Sequence, residues 1–254
     1  MNPKRLPRMI SPLWRRMATL IALTLVTQNA AGLLWNFVPS DIEWQAWPDY
    51  CRARYQVTPP GRESKYAAAM PAAAVSDWKN KLEDVWYGLH HYCGGLVDYS
   101  QAVRAKRADW KRHKFEEALE EANFTIARSN SRHPFFSVML AFRGRVFAEL
   151  GHNKEAHNDF QQAIQLHPEI ADPYAAYGLM LRRSGKLQEA RELLDKGMGA
   201  TKGGSAEMHY IFGFVLFDLK DYAGAAAEAD LAYAKGYPLP GLRRKLEAVG
   251  YRKK

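Results

Sequence analysis

Apolar residues recur at three- and four-residue steps along most of the chain beyond residue 76, and this spacing predicts α-helices that are buried along one face. The first of these helices is predicted to begin after Ser76 or Asp77, since either side chain can cap it. Its apolar face consists of Trp78, Leu82, Val85, Trp86, Leu89, Cys93 and Leu96.

The residues before this helix have a different composition. Ser40-Asp41-Ile42-Glu43 has the form of a capping box, which predicts a short helix beginning at Asp41. Residues 56–75 contain Thr58-Pro59-Pro60-Gly61 and then an alanine-rich stretch around Pro71, a pattern typical of a linker or an irregular wrap. We therefore expect an N-terminal extension and linker over residues 33–77.

Beyond Pro134 the apolar pattern itself repeats about every 34 residues, and this period is the main signal in the sequence. The first unit contains Leu140, Gly144, Phe147, Leu150, Gly151, Ala156, Phe160, Ala163 and Pro168. The second contains Tyr174, Gly178, Leu181, Gly185, Ala190 and Leu194, and the third contains Gly213, Leu216, Leu219, Tyr222, Ala225, Ala229 and Ala232. Each unit predicts two helices joined by a tight turn, with small residues where the helices cross closely.

This pattern resembles the tetratricopeptide repeat family over residues 137–238. Glycine early in the first helix, alanine and a bulky apolar residue in the second, and then proline are the residues that support the resemblance. It implies an all-α fold, a right-handed solenoid of helical hairpins with three units, a degenerate unit at residues 78–136 and a capping helix with a basic tail at 239–254. The sequence departs from the family pattern at Arg143, where leucine is usual, and at Gly197 and Lys202, where alanine and proline are usual.

The resemblance also implies a binding groove on the inner face of the first helices. In this register the groove residues are Phe142, Arg145, Glu149, Leu179, Arg182, Arg183, Tyr210, Phe214, Phe217 and Asp218. The alternative for Phe142 and Phe214 is that they only pack between units. Arginines around an aromatic groove favour an apolar helix or strand with some acidic residues as the partner.

The first 32 residues have the features of an export signal. A basic stretch ending at Arg16 precedes the apolar run at 18–26, which is followed by polar and then small residues. The alternative is an uncleaved membrane anchor at 17–38, so membrane attachment is expected only through that segment. Either interpretation places the remaining residues outside the cytoplasm, and we expect a periplasmic protein.

An exported chain with two cysteines favours a disulfide between Cys51 and Cys93. Cys93 belongs to the sequence LHHYCGG, where His90 and His91 raise two alternatives: a metal site and a catalytic thiol. On a helical wheel His91 points away from Cys93, and His90 is expected near Cys93 but not near His91. A zinc site with His90, Cys93 and Cys51 would need a fourth ligand, and the apolar face around Cys93 argues against an activated thiolate.

The net charge of +9 does not indicate a nucleic-acid partner, because the positive charge lies at the two ends of the chain. Residues 1–32 contain five cations and no acid, and residues 240–254 contain six cations and one acid. A further basic run, Arg104 to Lys114, is expected to be a solvated face balanced by the glutamates that follow it. No cofactor motif is present in the sequence.

Together these features favour a non-catalytic adaptor that holds a protein partner in a bacterial envelope assembly such as a pilus, secretion or polysaccharide-export machine. The second interpretation is a structural, self-associating subunit in which the segment LLWNFV, with Trp35 and Phe37, fills the groove of another copy. An enzyme or metal protein centred on His90 and Cys93 is the third.

Overall fold

The computed structural model describes residues 38–251, and within this range every regular element is an α-helix. The predicted signal or anchor, the segment that contains Trp35 and Phe37, and the last three basic residues lie outside the described residues. The helices are α1 (Asp41–Ala46), α2 (Asp49–Gln56), α3 (Pro59–Glu63), α4 (Ala72–Leu82), α5 (Val85–Arg104), α6 (Ala108–Ala127), α7 (Phe135–Glu149), α8 (Asn153–Leu166), α9 (Ala171–Arg183), α10 (Leu187–Ala200), α11 (Ala206–Asp218), α12 (Tyr222–Ala234) and α13 (Gly241–Ala248). The predicted all-α class is confirmed.

Helices α1 to α4, residues 38–82, form what we call the N-terminal wrap. The capping box is present: the Ser40 hydroxyl accepts from the Glu43 amide, and the Glu43 carboxylate accepts from the Ser40 amide. The Trp44 ring stacks on the Tyr66 ring with centroids 4.2 Å apart, and the Tyr66 hydroxyl donates to Asp41. The wrap is thus folded back on itself through side chains far apart in sequence.

Two predictions for this region are wrong. Of the two alternatives for residues 56–75, the structure has the wrap and not the linker, because they contain α3 and the first turn of α4. The predicted helix start after Ser76 or Asp77 is wrong, since α4 begins at Ala72. The alanines favour a helix there and Pro71 can precede its first turn. The single predicted helix is also interrupted, since α4 ends at Leu82 and Glu83 has a φ of 48°.

From α5 onward the helices pack as neighbouring pairs: α5 with α6, α7 with α8, α9 with α10, and α11 with α12. The first helix of each later pair also packs against the first helix of the pair before it, α9 against α7 and α11 against α9. Helix α13 packs against α11 and α12. In residues 38–251 no helix combines the length and the apolar character needed to cross a membrane.

The same contact between a glycine and a large residue recurs inside successive pairs. A Cβ at Gly144 of α7 would come within 2.5 Å of the Phe160 ring, and a Cβ at Gly178 of α9 within 2.9 Å of Leu194. Both large side chains are fully buried. The missing Cβ therefore allows the two helices of these two pairs to approach, as the repeated glycines predict, whereas a Cβ at Gly213 of α11 would meet Leu242 of α13.

Arg143, the departure from the repeat pattern in the first unit, has its own buried partner. Its guanidinium donates two hydrogen bonds of 2.7 Å to the buried Asp159 and a third to Asn123. A paired charge in this position is consistent with the rule that buried ionised groups need hydrogen-bonded partners.

Candidate partner-binding surface

Three ion pairs bring most of the predicted groove residues together on one surface. Arg183 of α9 donates to Glu149 of α7 at 2.5 Å, and Arg182 of α9 donates to Asp218 of α11 at 2.6 Å. Arg145 of α7 pairs with Glu207 of α11. We call this the three-helix surface, and it includes Arg145, Glu149, Leu179, Arg182, Arg183, Glu207, Phe214, Phe217 and Asp218.

The pair between Arg145 and Glu207 spans α9, which packs between their two helices. Its two parallel hydrogen bonds measure 2.8 and 2.9 Å. Burial alone would raise the pKa of Glu207, but the charge and hydrogen bonds of Arg145 outweigh it and hold the pKa below its usual value. Ala176 of α9 is buried and lines the same cavity as Arg145.

These pairs change the expected charge of the surface. The sequence suggested that Arg145, Arg182 and Arg183 would attract acidic residues of a partner. Each arginine is instead bound to a carboxylate of this chain: Glu207, Asp218 and Glu149. The two glutamates and the aspartate are up to 62 residues away in sequence from their arginines, so the helical register alone does not reveal the pairing.

Asp172, in the first turn of α9, takes part in none of these pairs. Burial raises its pKa, the charge of Arg145 lowers it in part, and the charge of Glu207 raises it further, so the net shift is upward. Tyr50 of the N-terminal wrap and Tyr92 of α5 lie close by: burial, and after it the charge of Asp172, raises the pKa of Tyr50. Burial therefore disfavours the charged form of Asp172 at this end of the surface.

The aromatic residues differ in how accessible they are. Phe142 is only 4% exposed and packs against the rings of Tyr92 and Tyr99 with centroids 5.3 and 6.0 Å away, so it packs between helices and is not available to a partner. Tyr210 is also buried, stacked on Tyr237 at 4.1 Å. These two are corrections to the predicted groove.

Phe214 and Phe217 are partly exposed, but basic side chains cover part of their rings. The Arg182 guanidinium lies 4.6 Å from the Phe214 centroid, and the Lys245 ammonium of α13 lies 5.2 Å from the Phe217 centroid. Helix α13 therefore limits access to the α11 end of the three-helix surface.

The open part of the surface lies between α7 and α9. A cavity of about 110 Å³ is lined there by Tyr99, Arg145, Ala148, Glu149, Asn153, Phe160, Ala176, Leu179, Met180, Arg183 and Ser184. Its wall is apolar at Ala148, Leu179 and Met180 and charged at Arg145, Glu149 and Arg183. This combination suits one apolar side chain held within a polar rim.

A second cleft, of about 570 Å³, lies where α4 meets the loop before α7. Trp78, Leu82, Phe135, Val138 and Ile170 form its apolar side, and Lys81, Glu83, Asn130, Arg132, His133 and Pro134 complete it. The sequence pattern does not reveal this cleft, because it places Trp78 on the buried face of one continuous helix. The break in the helix at Glu83 is the feature that opens it.

Cys51 and Cys93 are joined by a disulfide, with their Cα atoms 5.6 Å apart and both side chains buried. The bond joins α2 of the N-terminal wrap to α5 and leaves no free cysteine among the described residues. Neither sulfur is then available as a nucleophile or as a thiolate ligand.

The two histidines are neighbours, contrary to the expectation that His90 and His91 would be apart. Their ring centroids lie 4.3 Å from each other, because the side chains lean toward one another from adjacent positions. His91 pairs with Glu121 at 2.6 Å, whereas burial, then the charges of His91 and Arg54, lowers the pKa of His90 to about 4. Within residues 38–251 no group of three or more His, Cys, Asp or Glu side chains is arranged to hold a metal ion.

Comparison with known proteins adds no relative: no protein-family model matches the chain, and no curated protein matches it in sequence. The resemblance to tetratricopeptide repeats therefore depends on the repeated residues themselves.

Proposed function

We propose that this protein is a non-catalytic, tetratricopeptide-like adaptor of the bacterial envelope, and that it binds a segment of a partner protein on the three-helix surface. Supporting this, side chains of α7, α9 and α11 meet on one continuous surface, as the repeat register predicts for a binding face. The observation that the proposal rests on is the open cavity beside Leu179 between α7 and α9.

The charges of this surface define the partner more narrowly than the sequence did. Because the three arginines are paired within the chain, they offer little to an acidic partner. We therefore propose a helix or strand with one apolar anchor for the Leu179 cavity, flanked by polar residues that face the paired charges of Arg145, Glu149 and Arg183.

The location and the assembly are further parts of the proposal. An exported protein with a disulfide that joins two helices agrees with an oxidising compartment. The predicted export signal supports the periplasm, and an active alkaline-phosphatase fusion at the C-terminus would be expected, because that reporter works only after export.

The binding surface is tested by photo-crosslinking from two leucine positions in intact cells. A photoreactive amino acid in place of Leu179 should give a discrete adduct. The same substitution at Leu166, an exposed leucine on the second helix of the first unit, should give none. The adduct is then identified by mass spectrometry, and an adduct with a second copy of this chain would support the self-association alternative.

Substituting glutamate for the same two leucines tests whether a charge at the surface prevents partner binding. Leu179→Glu buries a carboxylate in the cavity wall and should reduce adduct formation from a neighbouring position at least about tenfold, which corresponds to roughly 1.4 kcal/mol. Leu166→Glu should leave it unchanged, and circular dichroism should show both variants folded. Equal adducts in wild type and Leu179→Glu would contradict the proposed surface.

A further inference from the structure

A basic and partly apolar surface lies at the end of the molecule where α5 stops and α6 begins. We call it the basic loop surface, and it consists of Val103, Arg104, Lys106, Arg107, Trp110, Lys111 and Arg112. Residues 104–112 contain five cations and one carboxylate, Asp109. The three-helix surface lies elsewhere, on α7, α9 and α11, so the proposed function does not explain this cluster.

The glutamates that follow this run neutralise only part of it. Glu116 pairs with Arg112, Glu117 pairs with Lys114, and Glu121 pairs with His91. Lys106 and Lys111 have no ion pair within residues 38–251. Arg107 has Asp109, and Arg104 has only a distant approach of 3.9 Å to Glu43.

The glutamates of α6 also lie far from the basic residues at the start of the helix, and this distance weakens their mutual attraction. Glu116 lies eight residues beyond Ala108, where α6 begins, which is about 12 Å along the axis for a rise of about 1.5 Å per residue, and Lys106 precedes that point. Salt screens charges beyond about 8 Å at physiological ionic strength, so the acids contribute little at the basic end.

Helix stability does not explain this order of charges. Cations at a helix N-terminus oppose the helix dipole, and acids toward its other end do so too. Arg107 occupies the N-cap position of α6 without a side-chain capping bond, and Lys111 lies in the first turn. The sequence therefore places basic residues where they weaken the helix slightly.

Exposed apolar side chains lie among these cations. Val103 is 54% exposed and Trp110 is 49% exposed. Tryptophan is enriched at membrane interfaces because its ring is apolar and its N–H is polar, and lysine and arginine are attracted to anionic headgroups. This combination is typical of a surface that lies on a charged bilayer.

The neighbouring helix leads directly to the apolar N-terminal segment. Glu43 of α1 accepts a hydrogen bond of 3.1 Å from Gln101 near the end of α5. Ile42, the residue before it, is 69% exposed. Helix α1 begins at Asp41, three residues beyond the apolar stretch 17–38, so the basic loop surface contacts the part of the chain that follows this stretch in sequence.

We propose that the basic loop surface binds the headgroups of an anionic lipid bilayer, with Trp110 and Val103 at the level of the interface and Arg104, Lys106, Arg107 and Lys111 on the phosphates. The bilayer contact would fix which side of the protein faces away from the membrane and leave the three-helix surface open to a partner.

Lysine footprinting of the full chain on vesicles tests this. The protein is acetylated with an N-hydroxysuccinimide ester in the presence of phosphatidylcholine vesicles that contain about one-third phosphatidylglycerol, and modified lysines are quantified by mass spectrometry. Lys106 and Lys111 should react about fivefold more slowly than with pure phosphatidylcholine vesicles, as expected for about 1 kcal/mol per basic residue. Lys154 and Lys196, which are exposed on α8 and α10, should not change.

Two charge-reversal variants separate this surface from the overall charge of the protein. Arg104→Glu with Arg107→Glu leaves both reporter lysines in place and should abolish their protection. Arg243→Glu with Arg244→Glu makes the same charge change on α13 and should leave the protection intact.

Three outcomes would overturn the proposal. Equal protection on both kinds of vesicle would show that the apolar segment alone holds the protein near the bilayer. Equal loss of lysine protection in both double variants would show that only the net charge of the protein matters. Protection that survives about 1 M salt, where the Debye length is about 3 Å, would exclude electrostatic recognition of the headgroups.

Discussion

The N-terminal wrap and the paired helices from α7 to α12 are stabilised in different ways. In the paired helices the same contact recurs, a glycine of the first helix against a large side chain of the second, as in Gly144 with Phe160 and Gly178 with Leu194. In the wrap each contact occurs once: Trp44 on Tyr66, the Gln56 amide with the Met70 backbone, and the disulfide from Cys51 to α5.

This difference determines how much the disulfide contributes to the stability of each region. A helical pair that packs against pairs on both sides buries its core through many neighbours. The wrap has short helices, and helices of five to eight residues are not stable by themselves in water. We infer that the wrap depends on the disulfide and that the paired helices do not.

The largest expected effect is therefore that of removing the disulfide. Cys51→Ser with Cys93→Ser opens a connection with a sequence separation of 42 residues. Chain-entropy arguments give a loss of about 3–4 kcal/mol in unfolding free energy. We expect the wrap of this variant to unfold first. At denaturant concentrations that detach the wrap, the α7–α12 helices should still be folded.

Two optical probes measure the regions separately. The tryptophans within residues 38–251 are Trp44, Trp47, Trp78, Trp86 and Trp110, so their fluorescence follows the wrap and the α5–α6 pair. Far-UV circular dichroism follows all helices. In urea the serine variant should show the fluorescence transition at lower denaturant than the dichroism transition. Coincident transitions in the variant would show that the wrap and the paired helices unfold as one unit.

The second prediction concerns the paired helices. Gly144→Ala places a Cβ against the Phe160 ring, which is fully buried and has little room to move. Overpacking of this kind lowers the free energy of unfolding by about 1–3 kcal/mol. Dichroism in urea should report the loss, since this region contains no tryptophan.

Gly199 is the matched control for that substitution. It also lies in a helix, but a Cβ there would meet no atom within 4 Å. Alanine is a better helix former than glycine, so Gly199→Ala should raise the unfolding free energy by up to about 1 kcal/mol. Equal effects at the two positions would mean that close approach of the helices at Gly144 does not matter.

The sequence predicted the paired helices well because each pair repeats the same small and large residues. Even the departure at Gly197 follows this logic, since a Cβ there would lie 2.6 Å from the Tyr174 ring, a larger side chain than the Leu140 of the first unit. In the wrap only local signals succeeded, such as the capping box at Ser40. The start of α4 at Ala72 was missed because Pro71 was interpreted as part of a linker.

The sequence predicted where the residues of the three-helix surface lie, but not which of their charges are paired within the chain. Arg145, Arg182 and Arg183 lie together, yet Glu207, which neutralises Arg145, was not among the predicted residues. Side chains of α7 and α11 meet although α9 packs between the two helices. A pairing across two helices depends on how the helices are spaced, which a pattern within one helix does not contain.

The smallest expected effect concerns Asp172, where the two regions meet beside Tyr50. The pKa of Asp172 is raised in the folded protein, so the folded state binds its proton more tightly than the unfolded state does, with an unfolded value near 3.9. The stability that this proton provides is complete below about pH 3.9 and is lost as the pH rises through the folded pKa. Asp172→Asn should therefore raise the melting temperature at pH 7 by about 1–2 °C and have no effect at pH 3.

Asp218→Asn should instead lower the melting temperature at pH 7. Asp218 accepts a hydrogen bond from Arg182, and removing the carboxylate charge leaves that arginine without its ion-pair partner. If Asp172 is buried by the N-terminal wrap, the gain from Asp172→Asn should also shrink in the serine variant, where the wrap detaches and water reaches the carboxylate. A double-mutant cycle in calorimetry measures this coupling. A gain of the same size with and without the disulfide would mean that α9 and its neighbours bury Asp172 by themselves, and that the two regions are energetically independent at this contact.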